Sequence, residues 1–269
     1  MSIPSASASV EAGALTWEFA ALTDAGRVRA NNEDTIAFDA SLGLVLLADG
    51  MGGYNGGEVA SGMAIALLQA SFGRWLAHAG PQAHPKAIRR ALQAGTDEAN
   101  AAILEAGIAN VQLQGMGTTL VLATFGQERV IVGHIGDSRC YRLRGDKLEL
   151  LTRDHSLLQE QLDAGAITPE QAIQSPHRNL VTRALGIERH VELEMHEHSV
   201  RPGDLYLLCS DGLSEMVLEE QLFTLLLQDI ELSEKATLLV AIANENGGRD
   251  NISVVLARAG NISAPDATA

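Results

Sequence analysis

Three aspartates stand at the ends of apolar segments that lie far apart in the chain. Asp49 follows residues 44–48, Asp211 follows residues 205–210, and Asp250 comes just before an apolar run. Val and Leu suit a buried strand and glycine ends one, so each carboxylate is expected at the mouth of a strand. A single Asp-Gly turn is common in hairpins and indicates little. Three strand-end carboxylates, however, are the ligand type that Mg²⁺ and Mn²⁺ prefer, so together they predict a carboxylate cage for a hard divalent cation.

The overall charge of the chain argues against two classes of partner. The 269 residues include 34 Asp and Glu against 19 Lys and Arg, which gives a net charge of −15. Nucleic acids and anionic membranes bind basic patches, so neither is expected as the main partner. No stretch approaches the roughly 18 apolar residues of a membrane span, and residues 1–10 show no secretory signal. These features predict a cytoplasmic protein without membrane insertion.

The two cysteines, Cys140 and Cys209, each lie inside an apolar, strand-like run. Thiols in such positions are usually buried and reduced, and we expect the same here. A disulfide between them is the alternative if the two strands are neighbours.

The order of elements predicts one domain over residues 14–258. The flanking segments, 1–13 and 259–269, are rich in small and polar residues and are expected to be disordered. Within the domain, strands come as hairpins and helices come in pairs, with Ala- and Leu-rich helices predicted over 58–78 and 86–108. This pattern is typical of the α+β class, in which helical layers cover antiparallel sheet.

Seven short motifs occur in a fixed order between about residue 23 and residue 256. They are Arg29-x-x-Asn32-Glu33-Asp34, Asp49-Gly50-Met51-Gly52-Gly53, Gly115-Met116-Gly117-Thr118-Thr119, Gly133-His134-Ile135-Gly136-Asp137-Ser138-Arg139, Asp154-His155-Ser156, Asp211-Gly212-Leu213 and Gly248-Arg249-Asp250-Asn251. Any one of them alone indicates little. In this order, they make the chain resemble the metal-dependent protein phosphatases of the PP2C (PPM) family, in their bacterial form.

The resemblance implies a four-layer αββα sandwich, with two antiparallel β-sheets flanked by antiparallel helix pairs and a metal cluster in a cleft at one end. It implies that Asp49 bridges two Mn²⁺ or Mg²⁺ ions and that the carbonyl of Gly50 adds a ligand. Asp211 and Asp250 would bind one ion, and Glu33 the other. So few protein ligands leave several waters on each metal, as these cations prefer.

This set of residues suits the hydrolysis of a phosphomonoester. Two cations about 4 Å apart share a water and lower its pKa toward neutrality, so that it can attack phosphorus. Arg29 would bind the phosphoryl oxygens through a bidentate fork. Asp34 would orient its neighbours rather than bind a metal. The alternative for Arg29 is a surface ion pair with Glu33 or Asp34.

The leading hypothesis is therefore a protein phosphatase that hydrolyses phosphoserine and phosphothreonine and opposes a bacterial serine/threonine kinase. Its partners would be phosphorylated proteins and that kinase system. A metal-dependent phosphatase of a small phosphorylated metabolite would use the same chemistry and is an alternative. A pseudophosphatase that only binds partners is a third hypothesis, but it predicts lost ligands, whereas Glu33, Asp49, Asp211 and Asp250 are all present.

Two features depart from the family pattern. Met51 stands where many eukaryotic relatives carry a histidine proposed as general acid, and a thioether cannot donate a proton. Bacterial members share this Met, so the identity of the acid is left open. A third metal site in the family uses two acidic residues that correspond to Asp137 and Glu215 here. Glutamate is one methylene longer than the more frequent aspartate, so an occupied and an empty third site are both left open.

Residues 153–183 match the mobile flap of the family, and we expect this segment to influence substrate choice. A plain surface excursion is the alternative. His155, just inside this segment, is expected to be structural rather than catalytic. His196 and His198 share a strand face with two glutamates, which favours a solvated strand face over a metal site.

Overall fold

Twelve strands and seven α-helices occur in the residues that the computed structural model describes, which are 3–8, 15–53, 56–80, 82–173, 175 and 180–260. The strands are β1 (Ile3–Ala8), β2 (Trp17–Asp24), β3 (Asp34–Asp39), β4 (Leu44–Met51), β5 (Gly117–Thr118), β6 (Leu120–Phe125), β7 (Arg129–Ile135), β8 (Arg139–Arg144), β9 (Lys147–Leu150), β10 (Glu194–Ser199), β11 (Leu205–Cys209) and β12 (Ile252–Ala259). The helices are α1 (Gly56–Ala79), α2 (Pro85–Ala109), α3 (Leu157–Asp163), α4 (Pro169–Ile173), α5 (Asp211–Ser214), α6 (Glu219–Leu226) and α7 (Leu232–Glu245).

The strands form two antiparallel sheets. The first sheet has the spatial order β1-β2-β12-β11-β8-β9, and the second has the order β10-β7-β6-β4-β3, with β5 paired to the end of β4. In the first sheet, the last strand of the chain lies between β2 and β11. Segments from both ends of the sequence therefore meet at the centre of one sheet.

Strand β4 shows how the two sheets are covered on both faces. Its residues Val45 and Leu47 face the core between the sheets, where they share a cluster with Leu208 of β11. The alternate residue Leu46 faces the cluster beneath α1 and α2. An unbroken apolar run is what a strand buried on both faces requires, because successive side chains point to opposite sides.

The outer face of the first sheet is covered in the same way by α6 and α7. Leu207 of β11 packs there with Leu222 of α6 and Leu239 of α7. The layers are therefore helix, sheet, sheet and helix. The predicted four-layer αββα sandwich of the α+β class is confirmed.

The two long helices agree with the sequence prediction to within two residues at each end. Pro85 begins α2, where its missing N–H leaves no hydrogen bond unmade. The ring of His84 accepts a hydrogen bond from the Lys86 N–H at 3.2 Å and so caps the helix. Of the helices described, none combines the length and the hydropathy of a membrane span.

The ends of the domain differ in part from the prediction. Residues Ile3–Ala8, expected to be disordered, form β1, which pairs antiparallel with β2. Edge pairing uses main-chain N–H and C=O groups and needs no apolar side chains, so composition alone did not indicate it. Strand β12 runs through Ala259, the first residue of the predicted C-terminal tail. The remaining predicted disorder, over 1–2, 9–13 and 261–269, lies outside the described residues.

The two cysteines lie on neighbouring strands but point to opposite faces. The register pairs Cys140 with Leu208 and Cys209 with Arg139. Cys140 packs in the core between the sheets, whereas Cys209 packs in the outer core under α6 and α7. Both are buried and free, so the prediction of two reduced thiols is confirmed and the alternative disulfide is wrong.

Candidate metal centre

The hairpin of β3 and β4 brings the first two carboxylates together. Its register places Asp34 directly opposite Asp49. The main chain of Asp49 is held by two threonines that follow one another in the chain. The Asp49 N–H donates to Thr119 Oγ1 at 3.0 Å, and the Asp49 carbonyl accepts from the Thr119 N–H at 2.9 Å and from Thr118 Oγ1 at 2.8 Å. The end of β4 is therefore fixed on both sides.

Glycines allow Glu33 to approach this strand end. The Gly50 N–H donates to the Glu33 carbonyl at 3.2 Å. A Cβ atom on Gly50 would overlap the Gly57 carbonyl, and one on Gly57 would lie 2.6 Å from Glu33 Oε2. The absence of side chains at both positions lets the Glu33 carboxylate lie against the start of α1.

The other two predicted ligands come from the first sheet. Asp211 begins α5 just after β11, and Asp250 stands just before β12. Because β11 and β12 are antiparallel neighbours, the end of one strand lies beside the start of the other. The Ser210 N–H donates to the Ser253 carbonyl at 3.1 Å and holds these ends together.

Two carboxylate oxygens in this group are buried without a hydrogen-bond partner, namely Asp34 Oδ1 and Asp211 Oδ1. A buried carboxylate oxygen without a donor lowers the stability of the fold, because it has lost its hydrogen bonds to water and has gained none from the protein. Divalent cations bind such oxygens directly, so Asp211 Oδ1 suits a metal ligand, whereas Asp34 is predicted to orient its neighbours. The donor set therefore fits the metal ions implied by the sequence.

Five carboxyl groups in and beside this cluster have raised pKa values. Burial raises the pKa of Asp49 and of Asp211 well above the ordinary value, and repulsion between these and neighbouring carboxylates adds to it. Burial likewise raises the pKa of Asp34 to about 7, and that of Asp137 to about 6. For Glu33, burial is again the largest cause of a raised pKa. Like charges are thus concentrated where a cation would relieve their repulsion.

Arg29 lies at the rim of this acidic group. Its Nη2 atom lies 2.7 Å from Asp250 Oδ2, and its side chain is 54% exposed. The Asp250 carboxylate is the largest cause of the raised pKa of Arg29. The guanidinium thus pairs with a predicted ligand 221 residues away and not with the neighbours Glu33 or Asp34, so the expected partner was wrong, while the phosphate-binding role of Arg29 stays a prediction. Arg29 reaches the carboxylates and still offers donors to solvent.

Asp137 and Glu215, the predicted third metal site, lie near the same group. The side chain of Asp137 is buried, and the Glu215 charge contributes to its raised pKa. The third ion stays a prediction.

His134, His155 and Glu194 form a second group of ligand-type side chains, with one atom of each within 4.8 Å of the others. The hydrogen bonds argue against a metal. His155 Nδ1 accepts from the Gly136 N–H at 3.2 Å, so its Nε2 carries the proton and donates to Glu194 Oε2 at 3.1 Å. His134 Nε2 donates to the Arg153 carbonyl at 2.7 Å, and the two rings stack. Both ring nitrogens of His155 are occupied, which supports its predicted structural role.

The predicted flap, residues 153–183, carries α3 and α4, and a bridge between Ser156 and Val181 joins its two ends. Residues 174 and 176–179 lie outside the described part. A groove of about 400 Å³ borders this segment, and its lining comprises Arg89, Arg90, Gln93, Arg183 and residues 192–195. His196 lies exposed beside this groove and bonds to Glu194, in agreement with the predicted solvated strand face. His198 does not fit that prediction, because it is partly buried and its Nε2 atom is buried without a hydrogen-bond partner. The influence of the flap on substrate choice stays a prediction.

Two side chains that sequence reasoning left without a role connect the ligands. Ser210 Oγ donates to Asp34 Oδ2 at 2.8 Å, and Asn251 Oδ1 accepts from the Glu33 N–H at 2.8 Å. Both residues adjoin predicted ligands in the sequence. Their position beside a ligand was the only indication that the sequence offered of a role at the site. It did not indicate which distant residues they bond.

The sequence matches the family Protein phosphatase 2C over residues 25–247. Serine/threonine phosphatase stp of Listeria innocua is 40% identical to it over 237 residues, which are 87% of this chain and 92% of that protein. The crystal structure of the Mycobacterium tuberculosis serine/threonine phosphatase PstP/Ppp is similar at a TM-score of 0.80 and 40% identity, covering 91% of this chain and 99% of that one.

A further solved structure shows the catalytic domain of serine/threonine protein phosphatase PstP in complex with two manganese ions. It has a TM-score of 0.80 and 40% identity, and it covers 92% of this chain and 100% of that one. The family match covers Glu33, Asp49 and Asp211 of the acidic group and ends three residues before Asp250. The chain belongs to the protein phosphatase 2C family.

Proposed function

We propose that this chain hydrolyses phosphoserine and phosphothreonine in proteins, with two Mn²⁺ or Mg²⁺ ions as cofactors. The observation that carries the proposal is the partly buried acidic group, in which the predicted ligand Asp211 has an oxygen without a hydrogen-bond partner, beside the exposed guanidinium of Arg29. The relatives support the substrate class, since they are named serine/threonine phosphatases, and the similar PstP structure holds two manganese ions.

The proposed ligands are the carboxylates of Glu33, Asp49, Asp211 and Asp250 with the carbonyl of Gly50. When bound, such cations supply Lewis acidity and a water of lowered pKa. The protein contributes the arrangement of the carboxylates, because both sheets deliver them to one end of the sandwich.

Arg29 and Asp34 have different proposed roles. Arg29 binds the phosphoryl oxygens, because a planar guanidinium offers two parallel donors that match them. Asp34 lies opposite Asp49 and accepts a hydrogen bond from the Ser210 hydroxyl, which fixes its own position. From there its proposed role is to orient the Asp49 carboxylate. Met51 offers no proton, so we assign no side chain as general acid.

The proposal extends to a kinase and to a location. A phosphorylated serine or threonine is made by a kinase, so a bacterial serine/threonine kinase is the proposed source of the substrate. The cytoplasm is the proposed location of both.

The test is hydrolysis of p-nitrophenyl phosphate by the metal-stripped protein, titrated with Mn²⁺ and with Mg²⁺. Activity should appear with metal and disappear with EDTA. Asp49→Ala and Asp250→Ala should abolish turnover while the fold survives, because each removes a ligand rather than a core side chain. Asp146→Ala, which removes an exposed carboxylate in the β8–β9 turn, is the matched control and should stay active.

Two further comparisons separate the hypotheses. A phosphoprotein should exceed a small phosphorylated metabolite in kcat/KM, and the reverse order would favour the metabolite phosphatase. Arg29→Ala should mainly raise KM for phosphate esters.

A substantial residual rate in Asp49→Ala saturated with metal would refute the two-metal assignment. Inactivity of the natural protein with every metal would favour a binding module.

A further inference from the structure

One buried amide side chain connects the loop that carries Arg29 to the predicted ligands. Asn251 is 5% exposed. Its Oδ1 accepts from the Glu33 N–H at 2.8 Å. Its Nδ2 donates to the carbonyls of Ala25 and Asn31, at 3.1 Å and 2.9 Å. The amide therefore uses its acceptor on one ligand residue and both donors on the two ends of the segment that contains Arg29.

The main chain of Asn251 contacts Asp250 and the residue that precedes Asp211. Its N–H donates to Asp250 Oδ1 at 2.9 Å, which leaves Asp250 Oδ2 for the contact with Arg29. Its carbonyl lies 3.3 Å from the Oγ atom of Ser210, the residue before Asp211, while the proton of that hydroxyl goes to the nearer Asp34. A Cβ atom on Gly212 would overlap this carbonyl, so the two segments pack backbone against backbone.

We propose that Asn251 is a positioning residue that sets Glu33, Asp250 and the Arg29 loop in one arrangement. It acts through these groups and does not itself touch metal or substrate. Cation binding and phosphoryl binding then depend on the same amide. The inference rests on the proposed function, because it takes the ligand and phosphate-binding roles from there.

The chemistry of the side chain makes the inference specific. An aspartate at this position would keep the acceptor for the Glu33 N–H but would lose both donors to the Arg29 loop. An alanine would lose all three hydrogen bonds. The two substitutions thus separate the ligand side of the connection from the loop side.

The experiment compares Asn251→Ala and Asn251→Asp with the natural protein. Mn²⁺ binding to the metal-stripped proteins is measured by isothermal titration calorimetry, which needs no turnover. KM and kcat for p-nitrophenyl phosphate are then measured at saturating Mn²⁺, and thermal unfolding is measured in EDTA. Asn100→Ala is the matched control, because Asn100 is equally buried and bonds the Gly186 N–H and the Glu188 carbonyl at 2.7 Å and 2.8 Å.

Asn251→Ala should weaken Mn²⁺ binding by about 10- to 100-fold, the usual effect of removing a group that orients metal ligands. Asn251→Asp should raise KM by a larger factor than it raises the Mn²⁺ dissociation constant. Asn100→Ala should lower the melting temperature and leave both constants within about twofold.

Natural Mn²⁺ affinity and natural KM in either Asn251 variant would overturn the inference and leave a purely structural residue. If the alanine variant does not fold, the Mn²⁺ affinity and the KM of Asn251→Asp, which conserves the side-chain volume, test the inference instead. Should the natural protein neither bind Mn²⁺ nor hydrolyse the ester, the proposed function fails first. If the natural protein is active and both Asn251 variants behave like it, the positioning role of Asn251 is rejected and the proposed function stands.

Discussion

Replacing Asp34 by asparagine should stabilise the metal-free protein. The Asp34 side chain is buried, with Oδ2 bonded to Ser210 Oγ and Oδ1 without a partner. Burial, with a contribution from the Asp211 charge, raises its pKa to about 7. An asparagine keeps an acceptor for the Ser210 hydroxyl and has no charge to bury. Asp34→Asn therefore removes the unfavourable charge while conserving volume.

The size of the effect follows from the raised pKa of Asp34. Its ordinary value is 3.8. At 1.36 kcal/mol per pH unit, a folded-state pKa near 7 costs the ionised protein at most about 4 kcal/mol at pH 8. The folded protein binds this proton more tightly than the unfolded chain, so the free energy of unfolding falls as pH rises from about 4 to about 7. Asp34→Asn should gain about 2–4 kcal/mol at pH 8 and less than about 1 kcal/mol at pH 4.

Urea denaturation in EDTA at pH 4, 6 and 8 measures this difference. Asp39→Asn is the matched control at the other end of β3, where Asp39 Oδ1 accepts the Ser41 N–H at 2.9 Å and caps a turn. That substitution should give no gain. A gain in Asp34→Asn that does not change with pH, or a loss at pH 8, would refute the reasoning. With Mn²⁺ added, the same variant should be less active, because it no longer orients Asp49 as a carboxylate does.

Two further substitutions test the packing around the site and away from it. Gly212→Ala should lower the affinity for Mn²⁺, because its Cβ would overlap the Asn251 carbonyl, whereas Gly62→Ala in α1 has open space and should bind Mn²⁺ normally in the same titration. Lys235→Met should lower the free energy of unfolding by about 1–3 kcal/mol, since it leaves the Leu226 carbonyl without the buried ammonium that bonds it at 2.8 Å. Urea denaturation of that variant should show the loss, and its Mn²⁺-dependent activity should be unchanged.

The strand-end aspartates could be predicted from the sequence because short-range information determines their place. Asp49 and Asp211 each stand where an apolar run stops, and a run of that composition is buried wherever the chain folds. The pairing of Asp34 with Asp49 needs only a hairpin whose two strands are close in sequence. The resemblance to the family then supplied the expectation that these segments meet.

The partners of the site residues could not be predicted in the same way. Sequence reasoning considered Glu33 and Asp34 as partners for Arg29, because they are its neighbours in the chain. The structure pairs Arg29 with Asp250 across 221 residues. Local patterns carry no information about which distant carboxylate the sheet order brings near, and the bonds of Asn251 were missed for the same reason.

The stability of the two-sheet core depends on whether cations are bound at the site. Asp34 and Asp49 belong to the second sheet, whereas Asp211 and Asp250 adjoin strands of the first. Their separation is therefore set by the apolar packing between the sheets, where Val45 and its neighbours are fully buried. Raised carboxyl pKa values mean that ionisation at neutral pH opposes this packing in the metal-free protein. A cation that binds the folded state reverses the repulsion and stabilises the fold in proportion to the logarithm of its concentration. In the metal-free protein, the apolar packing between the sheets must therefore offset the cost of bringing these carboxyl groups together.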